Sequence, residues 1–223
     1  MNTIPRVPVR KIGMSSRAMT GVVPELGQFE SSLERDFMEL IRFDRNVELY
    51  TPQPVTIKYV DREGKSRRYT PDGLIQYRSD IRPAQEMPPV LCEVKYRSDF
   101  REDWRNLLAR FRAAKEYAQS RGWVFRVYTE REIRTAYLDN ARFLMGYLTR
   151  VPDPELVFHI LDKIADFRES DPEALMQSLF RDQWARAAAL PALWYLIAQR
   201  QIGCELSEPL TMRSKIWVLE DRI

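Results

Sequence analysis

The sequence has few of the residues that build disulfide, zinc or iron sites. Its 223 residues include only two cysteines, Cys92 and Cys204, and one histidine, His159. Two distant cysteines exclude a disulfide-stabilised scaffold and fit a reducing compartment, and without paired thiols a zinc or iron site is excluded as well. Cys92 is expected to be a small core residue, and no catalytic role is expected for His159.

Long apolar runs are also missing. No stretch approaches the ~18 residues that a membrane-spanning helix needs, and the N-terminus lacks the apolar segment of a signal peptide. Hydrophobic residues make up 44% of the chain, which is enough for real cores in one large or two small domains. We therefore expect a soluble globular protein.

Two short acidic motifs stand out against this background. Pro71-Asp72 lies inside Arg67 to Tyr77, which is predicted to be a strand, and Glu93-Val94-Lys95 lies inside a second predicted strand, Pro89 to Tyr96. Neighbouring strands would bring the three polar side chains together. This P-D, gap, E-x-K pattern is typical of metal-dependent nucleases.

The residue types suit the hydrolysis of a phosphodiester. Mg²⁺ prefers oxygen ligands, usually one or two carboxylates with waters and a substrate phosphate, and Mn²⁺ can take its place. Asp72 and Glu93 would supply the carboxylates. Lys95 lies two positions after Glu93, so on a strand it shares that face while Val94 points into the core. Lys95 could polarise the attacking water and offset charge on the phosphate.

Simpler interpretations of the motifs are open at this point. Asp after Pro is a common turn pair, and E-x-K on a strand can be a solvated face with a weak ion pair. However, Leu74-Ile75 and the run Val90 to Val94 predict buried strands, and a charge placed in a buried strand needs a reason. The nuclease interpretation is therefore preferred.

A longer pattern resembles the TnsA family, the endonuclease subunits of heteromeric cut-and-paste transposons. The pattern comprises Ser31-Ser32-Leu33-Glu34-Arg35-Asp36-Phe37, Tyr69-Thr70-Pro71-Asp72-Gly73 and Glu93-Val94-Lys95-Tyr96-Arg97, and the resemblance by motif covers roughly residues 25–130. It implies a restriction-endonuclease-like fold. It also implies that Glu34, Asp72 and Glu93 are metal ligands and that Lys95 is the catalytic lysine. Some members carry Gln where this chain has Glu93.

The resemblance also implies a set of partners in the bacterial cytoplasm. The family cuts double-stranded DNA at transposon ends, on the strand that is not joined to target. An integrase-type transposase, TnsB, cuts the other strand, and an ATPase regulator, TnsC, connects both to the choice of target. A stand-alone restriction or repair nuclease, or a non-catalytic DNA-binding assembly subunit, are the alternative functions.

Helical spacing gives weaker support for Glu34 than the family pattern does. An apolar stripe recurs at helical spacing: Phe29, Leu33, Phe37, Leu40 and Ile41. Glu30 and Glu34 lie one turn apart on an adjacent face, where a metal, Arg35 or plain solvent could offset their repulsion. Only the resemblance singles out Glu34.

Charge is distributed unevenly along the chain. Residues 1–150 hold 27 Lys and Arg against 20 Asp and Glu, whereas residues 151–223 hold 8 against 12. The first part is therefore predicted to carry the DNA surface. Candidate phosphate contacts are Arg67, Arg68, Arg97 and Arg101, with Arg6, Arg10, Lys11 and Arg17 in an N-terminal arm, residues 1–24, which could bind DNA, dock on a partner or be disordered.

The expected fold class is α/β, with a mixed sheet flanked by helices over residues 25–150. Val55 to Val60 and Trp123 to Tyr128 are predicted to be further strands of that sheet, a helix from about Phe100 to Arg121 is predicted to form a parallel crossover, and Glu130 to Gly146 is predicted to be helical. A boundary is predicted at Val151 to Pro154.

Residues 151–223 are predicted to form a small, mostly α, winged-helix-like domain. Helices are predicted near 154–168, 172–184 and 190–201, with Asp153 and Asp171 as N-caps, followed by a hairpin of Cys204 to Leu206 and Lys215 to Leu219. Its acidic character favours docking on a protein, such as TnsC, over reading DNA.

Overall fold

The structure is a computed structural model that describes residues 5–9, 21–80 and 87–219. The chain divides into two compact units, Met1–Ile133 and Arg134–Ile223. The division falls before the predicted boundary at Val151 to Pro154, because the helix at 136–145 packs against the last helix of the second unit. Of the predicted arm, Arg10, Lys11 and Arg17 lie outside the described residues.

The first unit contains eight strands and three helices among its described residues. In chain order they are β1 Gly21–Val23, β2 Gly27–Phe29, α1 Ser32–Phe43, β3 Val47–Pro52, β4 Ile57–Val60, β5 Ser66–Tyr69, β6 Gly73–Tyr77, β7 Val90–Val94, α2 Arg97–Gln119, β8 Val124–Tyr128 and α3 Glu130–Ile133.

A four-stranded mixed sheet of order β3-β6-β7-β8 forms the centre of this unit. The β7–β8 pair is parallel and the other pairs are antiparallel. The helix α2 connects the two parallel strands, which confirms the predicted crossover. The α1 residues Leu33 and Phe37 pack with Val94 of the sheet, whereas Ala114 and Ala118 of α2 pack with Leu91. The mixed sheet flanked by helices fits the restriction-endonuclease-like fold.

The prediction of one strand from Arg67 to Tyr77 was wrong. Pro71, which has no N–H to donate, stands between β5 and β6, and the two strands belong to different sheets. β5 pairs with β4 in a separate hairpin, so the predicted strand Val55 to Val60 does not join the central sheet. Strand β3, which was not predicted from the sequence, pairs with β6 instead.

The second unit contains four helices and three short strands among its described residues. They are α4 Ala136–Met145, α5 Pro154–Phe167, β9 Glu169–Ser170, α6 Pro172–Leu179, α7 Gln183–Ala198, β10 Ile202–Cys204 and β11 Ile216–Val218, with a sheet of order β10-β11-β9. The predicted hairpin is present as the antiparallel β10–β11 pair, but its first strand is Ile202–Cys204 and not Cys204 to Leu206.

Side-chain caps set the helix starts in this unit. Asp153 and Asp171 are confirmed as N-caps of α5 and α6, because each carboxylate accepts hydrogen bonds from backbone N–H groups of the first turn. Asp182 caps α7 by accepting from Ala185 N at 2.7 Å. The last helix therefore begins at Gln183, earlier than predicted, and α6 ends at Leu179.

In the described parts of the chain no helix is both long and apolar enough to span a bilayer.

Candidate active site

Asp72 is fixed at the start of β6 by the neighbouring strand. The next residue, Gly73, pairs with Cys92 of β7, and the Oδ2 atom of Asp72 accepts a hydrogen bond from Val94 N at 2.7 Å. Only glycine fits at position 73, because a Cβ atom there would overlap the ring of Tyr50. The carboxylate of Asp72 therefore lies directly beside the E-x-K segment of β7.

Glu93 lies on the opposite face of β7 from Val94 and Cys92. It belongs to a strand whose five residues are all buried, and only 4% of its surface is exposed. Its Oε2 atom accepts a hydrogen bond from the Tyr69 hydroxyl at 2.7 Å. A carboxylate buried this deeply in a sheet core requires compensation by donors or cations.

The carboxyl groups of Asp72 and Glu93 act directly on one another. Burial raises the pKa of Asp72 well above its ordinary value, and the negative charges of Glu93 and Glu34 raise this pKa further. Burial also raises the pKa of Glu93, against the opposing effects of the Tyr69 hydroxyl and the positive charge of Lys95. Close like charges in a buried site favour protonation unless a cation is supplied.

Glu34 combines proximity to this pair with a structural task. Ser31 is the N-cap of α1, and the Glu34 Oε1 atom accepts from the Ser31 hydroxyl at 3.0 Å while Oε2 accepts from Glu30 N at 2.9 Å. This arrangement resembles a capping box. Burial is the largest cause that raises the pKa of Glu34, and its charge in turn raises the pKa of Asp72.

Lys95 completes the group of predicted residues. It follows β7 and is half-buried, and its backbone N–H donates to Tyr128 O at 2.9 Å. Its positive charge lowers the pKa of Glu34, Asp72 and Glu93 alike. The structure therefore brings together all four residues selected from the sequence, at the end of β7 and the start of β6.

The carboxylates of the site supply some of the ligands that a magnesium ion needs. Within residues 5–9, 21–80 and 87–219, no group of three His, Cys, Asp or Glu side chains is arranged to hold a metal ion. The three-carboxylate set implied by the resemblance is thus not preassembled, because the Glu34 oxygens accept the hydrogen bonds at the start of α1. Asp72 and Glu93 alone still fit Mg²⁺, which is commonly held by one or two carboxylates together with waters and phosphate.

Two residues that support Glu93 were not identified from the sequence. Tyr69 precedes the Pro71 break and was assigned to the same strand as Asp72, although its hydroxyl serves Glu93. Arg110 of α2 places its Cζ atom 6.0 Å from the Tyr69 ring centroid, and its charge lowers the pKa of Glu93. A basic residue between Leu107 and Ala114, which are buried on the inner face of α2, was the available signal.

The predicted DNA-contacting arginines differ in their partners. Arg67 donates from Nε to Asp61 Oδ2 at 2.8 Å, so it is already ion-paired. Arg68, Arg97 and Arg101 are exposed, and the backbone N–H of Arg97 donates to a Glu130 carboxylate oxygen at 3.0 Å. Their roles in DNA binding stay predictions.

Two family models match consecutive parts of the chain. Residues 44–130 match the model described as TnsA-like endonuclease N terminal, and residues 132–206 match the model described as TnsA endonuclease C terminal. No individually curated protein matches the sequence. The first match contains Asp72, Glu93 and Lys95 and begins after Glu34. The two matches meet close to the division between the compact units. Since both name the same family and together span most of the sequence, the chain belongs to the TnsA endonuclease family and is a transposon-associated nuclease.

Proposed function

We propose that this nuclease is a Mg²⁺-dependent endodeoxyribonuclease that cleaves the non-transferred strand at transposon ends during cut-and-paste transposition. The observation that supports this most directly is the convergence of the half-buried Asp72 and the buried Glu93, two carboxyl groups with raised pKa values, beside Lys95. A site in which like charges are buried together is poorly suited to stability alone. It is well suited to binding a divalent cation.

Asp72 and Glu93 would hold the metal ion. When bound, Mg²⁺ supplies charge that offsets the negative charge developing on the scissile phosphate. Lys95, on the same strand face as Glu93, orients the attacking water and neutralises a phosphate oxygen. Tyr69 keeps one oxygen of Glu93 in place by donating to it, which leaves the other oxygen for a ligand. Val94 N does the same for Asp72.

Cleavage of one strand follows from the number of such sites. Among the described residues, the fully buried carboxylate other than Glu93 is Asp36, which pairs with Arg35 at 2.8 Å, so one chain supplies one hydrolytic centre. Double-strand excision then requires a second catalytic subunit. The integrase-type transposase TnsB, expected from the family, would cut the strand that is joined to target.

The second unit is proposed to be a winged-helix-like module that docks on the ATPase regulator TnsC. Its order from α5 to β11, three helices with a short strand after the first and a hairpin at the end, supports a winged helix. Exposed acidic residues on α5, such as Asp162 and Asp166, favour a basic protein surface over DNA.

Regulator binding is tested with the full chain. Replacing Asp162 and Asp166 with Asn should weaken capture of TnsC and leave DNA binding unchanged, whereas Arg181→Gln serves as a control in the same unit. Loss of DNA binding with unchanged capture of TnsC would contradict the docking assignment.

The strand assignment is tested by reconstituting the chain with the transposase, the regulator and a donor DNA. Asp72→Ala should abolish cleavage of the non-transferred strand while the other strand is still joined to target, which converts cut-and-paste products into copy-and-join products. Asp80→Ala is the matched control, because Asp80 lies beyond the opposite end of β6 and is exposed. Unchanged excision by Asp72→Ala would contradict the proposal, and strong sequence-specific cleavage by the chain alone would indicate a stand-alone nuclease.

Metal dependence has its own test. Cleavage should stop on chelation and return with Mg²⁺ or Mn²⁺. Cleavage that persists at full rate in a chelator would refute the role given to Asp72 and Glu93.

A further inference from the structure

A cationic pocket lies between the β4–β5 hairpin and α2. It has a volume of about 530 Å³, and its charged lining comes from both elements. The lining includes Asp61, Arg62, Glu63 and Arg67 from the hairpin, and Arg105 and Arg110 from the helix. Arginine is the side chain best suited to hold phosphate, because its planar guanidinium donates two parallel hydrogen bonds.

The two acidic residues of this pocket are already engaged. Asp61 accepts from Arg67 Nε at 2.8 Å and from the backbone N–H groups of Glu63 and Lys65, each at 2.9 Å. Glu63 pairs with Lys65 at 2.8 Å. In the part of the chain that the structure describes, Arg62 and Arg105 have no carboxylate within 4.0 Å. Their charge is therefore available to an anion.

Trp104 holds these two arginines. The Cζ atoms of Arg62 and Arg105 lie 5.8 and 5.7 Å from the centroid of its ring, within cation–π range. The side chain is half exposed, at 50%, and follows directly on Asp103, where the backbone of α2 departs from helical geometry. An aromatic ring between two uncompensated guanidinium groups limits their motion and reduces the entropy lost when they bind a ligand.

Arg110 connects this pocket to the carboxylate pair. Its Nε atom is buried and has no hydrogen-bond partner among the described residues. Its Nη2 atom lies 3.9 Å from Asp103 Oδ2. On its other side it lies over Tyr69, whose hydroxyl donates to Glu93. Arg110 and Tyr69 therefore link the pocket to Glu93 through two consecutive side-chain contacts.

We propose that Arg62 and Arg105, positioned by Trp104, bind a backbone phosphate of the DNA strand that crosses the site of Asp72 and Glu93. This inference rests on the proposed function, because it assigns the pocket to the same DNA. Contacts to backbone phosphates fix the register of a nuclease on its substrate without reading sequence. The continuity with Glu93 through Arg110 and Tyr69 favours DNA over a free anion.

The test measures binding of a fluorescent duplex with a transposon-end sequence to the full chain, with Ca²⁺ in place of Mg²⁺ to prevent cleavage. Arg62→Gln combined with Arg105→Gln should weaken binding about tenfold and reduce the magnitude of the slope of log affinity against log salt by about 1, since each neutralised phosphate contributes about 0.9. The control combines Arg78→Gln with Lys115→Gln. These cations lie beyond the far end of β6 and on exposed α2 surface, so the same loss of charge should have a much smaller effect.

Variants of Trp104 distinguish a site with positioned arginines from nonspecific electrostatic attraction of DNA. Trp104→Ala keeps every charge but should reduce the affinity for DNA several-fold, and Trp104→Phe should restore most of it, because phenylalanine also stacks on guanidinium groups. A structural role alone would change the thermal midpoint of unfolding, so this midpoint is measured for both variants and should stay within about 2 °C of the wild type.

The outcomes distinguish this inference from the proposed function. Equal affinity and salt slope for the two double variants, with cleavage by both in the reaction reconstituted with the transposase and the regulator, would overturn the pocket assignment and leave the nuclease proposal in place. Binding of inorganic phosphate by the wild type that the Arg62 and Arg105 changes abolish, without an effect on DNA, would show a free-anion site and overturn it as well. Failure of the wild-type chain to bind the duplex, together with no cleavage in the reconstituted reaction, would overturn both proposals.

Discussion

Each of the two compact units contains a buried polar side chain, and the two side chains differ in how they are partnered. Asn140 in the second unit is 5% exposed, and its amide donates to Leu206 O at 2.9 Å and Glu208 O at 2.7 Å and accepts from Leu210 N at 3.0 Å. Glu93 in the first unit is 4% exposed and receives a hydrogen bond from the Tyr69 hydroxyl, and its carboxyl group also interacts with that of Asp72, a second acid rather than a neutral partner.

The difference separates structural from functional polar groups. A buried amide with three complementary partners fixes the packing of a loop against a helix, and its removal is expected to damage the fold. A buried carboxylate beside another carboxylate destabilises the apoprotein. It is retained where it has a chemical task, and groups with strongly shifted pKa values mark such places.

The largest expected effect comes from breaking the carboxylate pair without changing its shape. Asp72→Asn should reduce cleavage by more than about a hundredfold, because it removes an anionic ligand from the site. The thermal midpoint of unfolding without metal should not fall, since one of two repelling charges is lost. Cleavage is measured in the reconstituted reaction and the thermal midpoint of unfolding on the purified chain, with Asp80→Asn as the control for both. A variant that cleaves normally, or that unfolds at a much lower temperature, would make Asp72 a structural residue like Asn140.

The second prediction makes the opposite change in the second unit. Asn140→Ala should lower the free energy of unfolding by about 3 kcal/mol, because it leaves the Leu206 and Glu208 carbonyls and the Leu210 N–H buried without their partner. Denaturant titration of the full chain measures this, and Asp139→Ala, an exposed neighbour in α4, should change stability by less than about 1 kcal/mol. Equal effects of the two changes would remove the contrast between the units.

The sequence predicted that the acidic side chains of the two motifs and Lys95 would lie close together, because local rules determine their placement. Alternation along a strand places Glu93 and Lys95 on one face and Val94 on the other. The crossover through α2 and the caps at Asp153 and Asp171 were predictable for the same reason, since each depends on a few consecutive residues.

The sequence did not predict features that depend on contacts between distant segments. Proline at position 71 ended one strand and began another, so β5 left the central sheet and brought the Tyr69 hydroxyl to Glu93. Strand β3 joined the sheet although its pattern is short and includes Pro52. The pattern Ser31-x-x-Glu34 is typical of a capping box and could have predicted the capping role of Glu34. This local signal was missed because Glu34 was interpreted as a metal ligand.

A third prediction concerns the hydrogen bond from Tyr69 to Glu93. Tyr69→Phe should reduce cleavage about tenfold, because it removes the donor that holds Glu93 Oε2 and that opposes the rise in its pKa. Tyr77→Phe, a half-buried tyrosine at the other end of β6, is the control. If the two variants cleave equally well, Tyr69 does not position Glu93, and the contrast with the three partners of Asn140 becomes sharper.

The smallest expected effect is a pH dependence of stability that belongs to the first unit. Burial holds the pKa values of Asp72, Glu93 and Glu34 above their ordinary values. Between those values and the raised ones, the folded chain keeps protons that the unfolded chain has lost. The free energy of unfolding of the metal-free chain should therefore fall as pH rises through this window.

Carboxyl groups with lowered pKa values act in a different pH range. The pKa of Asp61 is lowered mainly by its hydrogen bond with Arg67, and that of Glu205, in the second unit, by the Ser207 N–H. Their stabilisation is present above the ordinary carboxyl pKa and is lost only as pH falls below it. Denaturant titrations from pH 5 to 8 cover a range about one to four pH units above the ordinary carboxyl pKa values. They therefore report on the carboxyl groups with raised pKa values, Asp72, Glu93 and Glu34. Asp72→Asn should flatten this decline, and Mg²⁺ should flatten it in the wild type, because both remove the unfavourable charge. A decline of equal slope in Asp72→Asn would mean that the destabilising charge lies elsewhere in the chain, and the first unit would then have no energetic property that distinguishes it from the second.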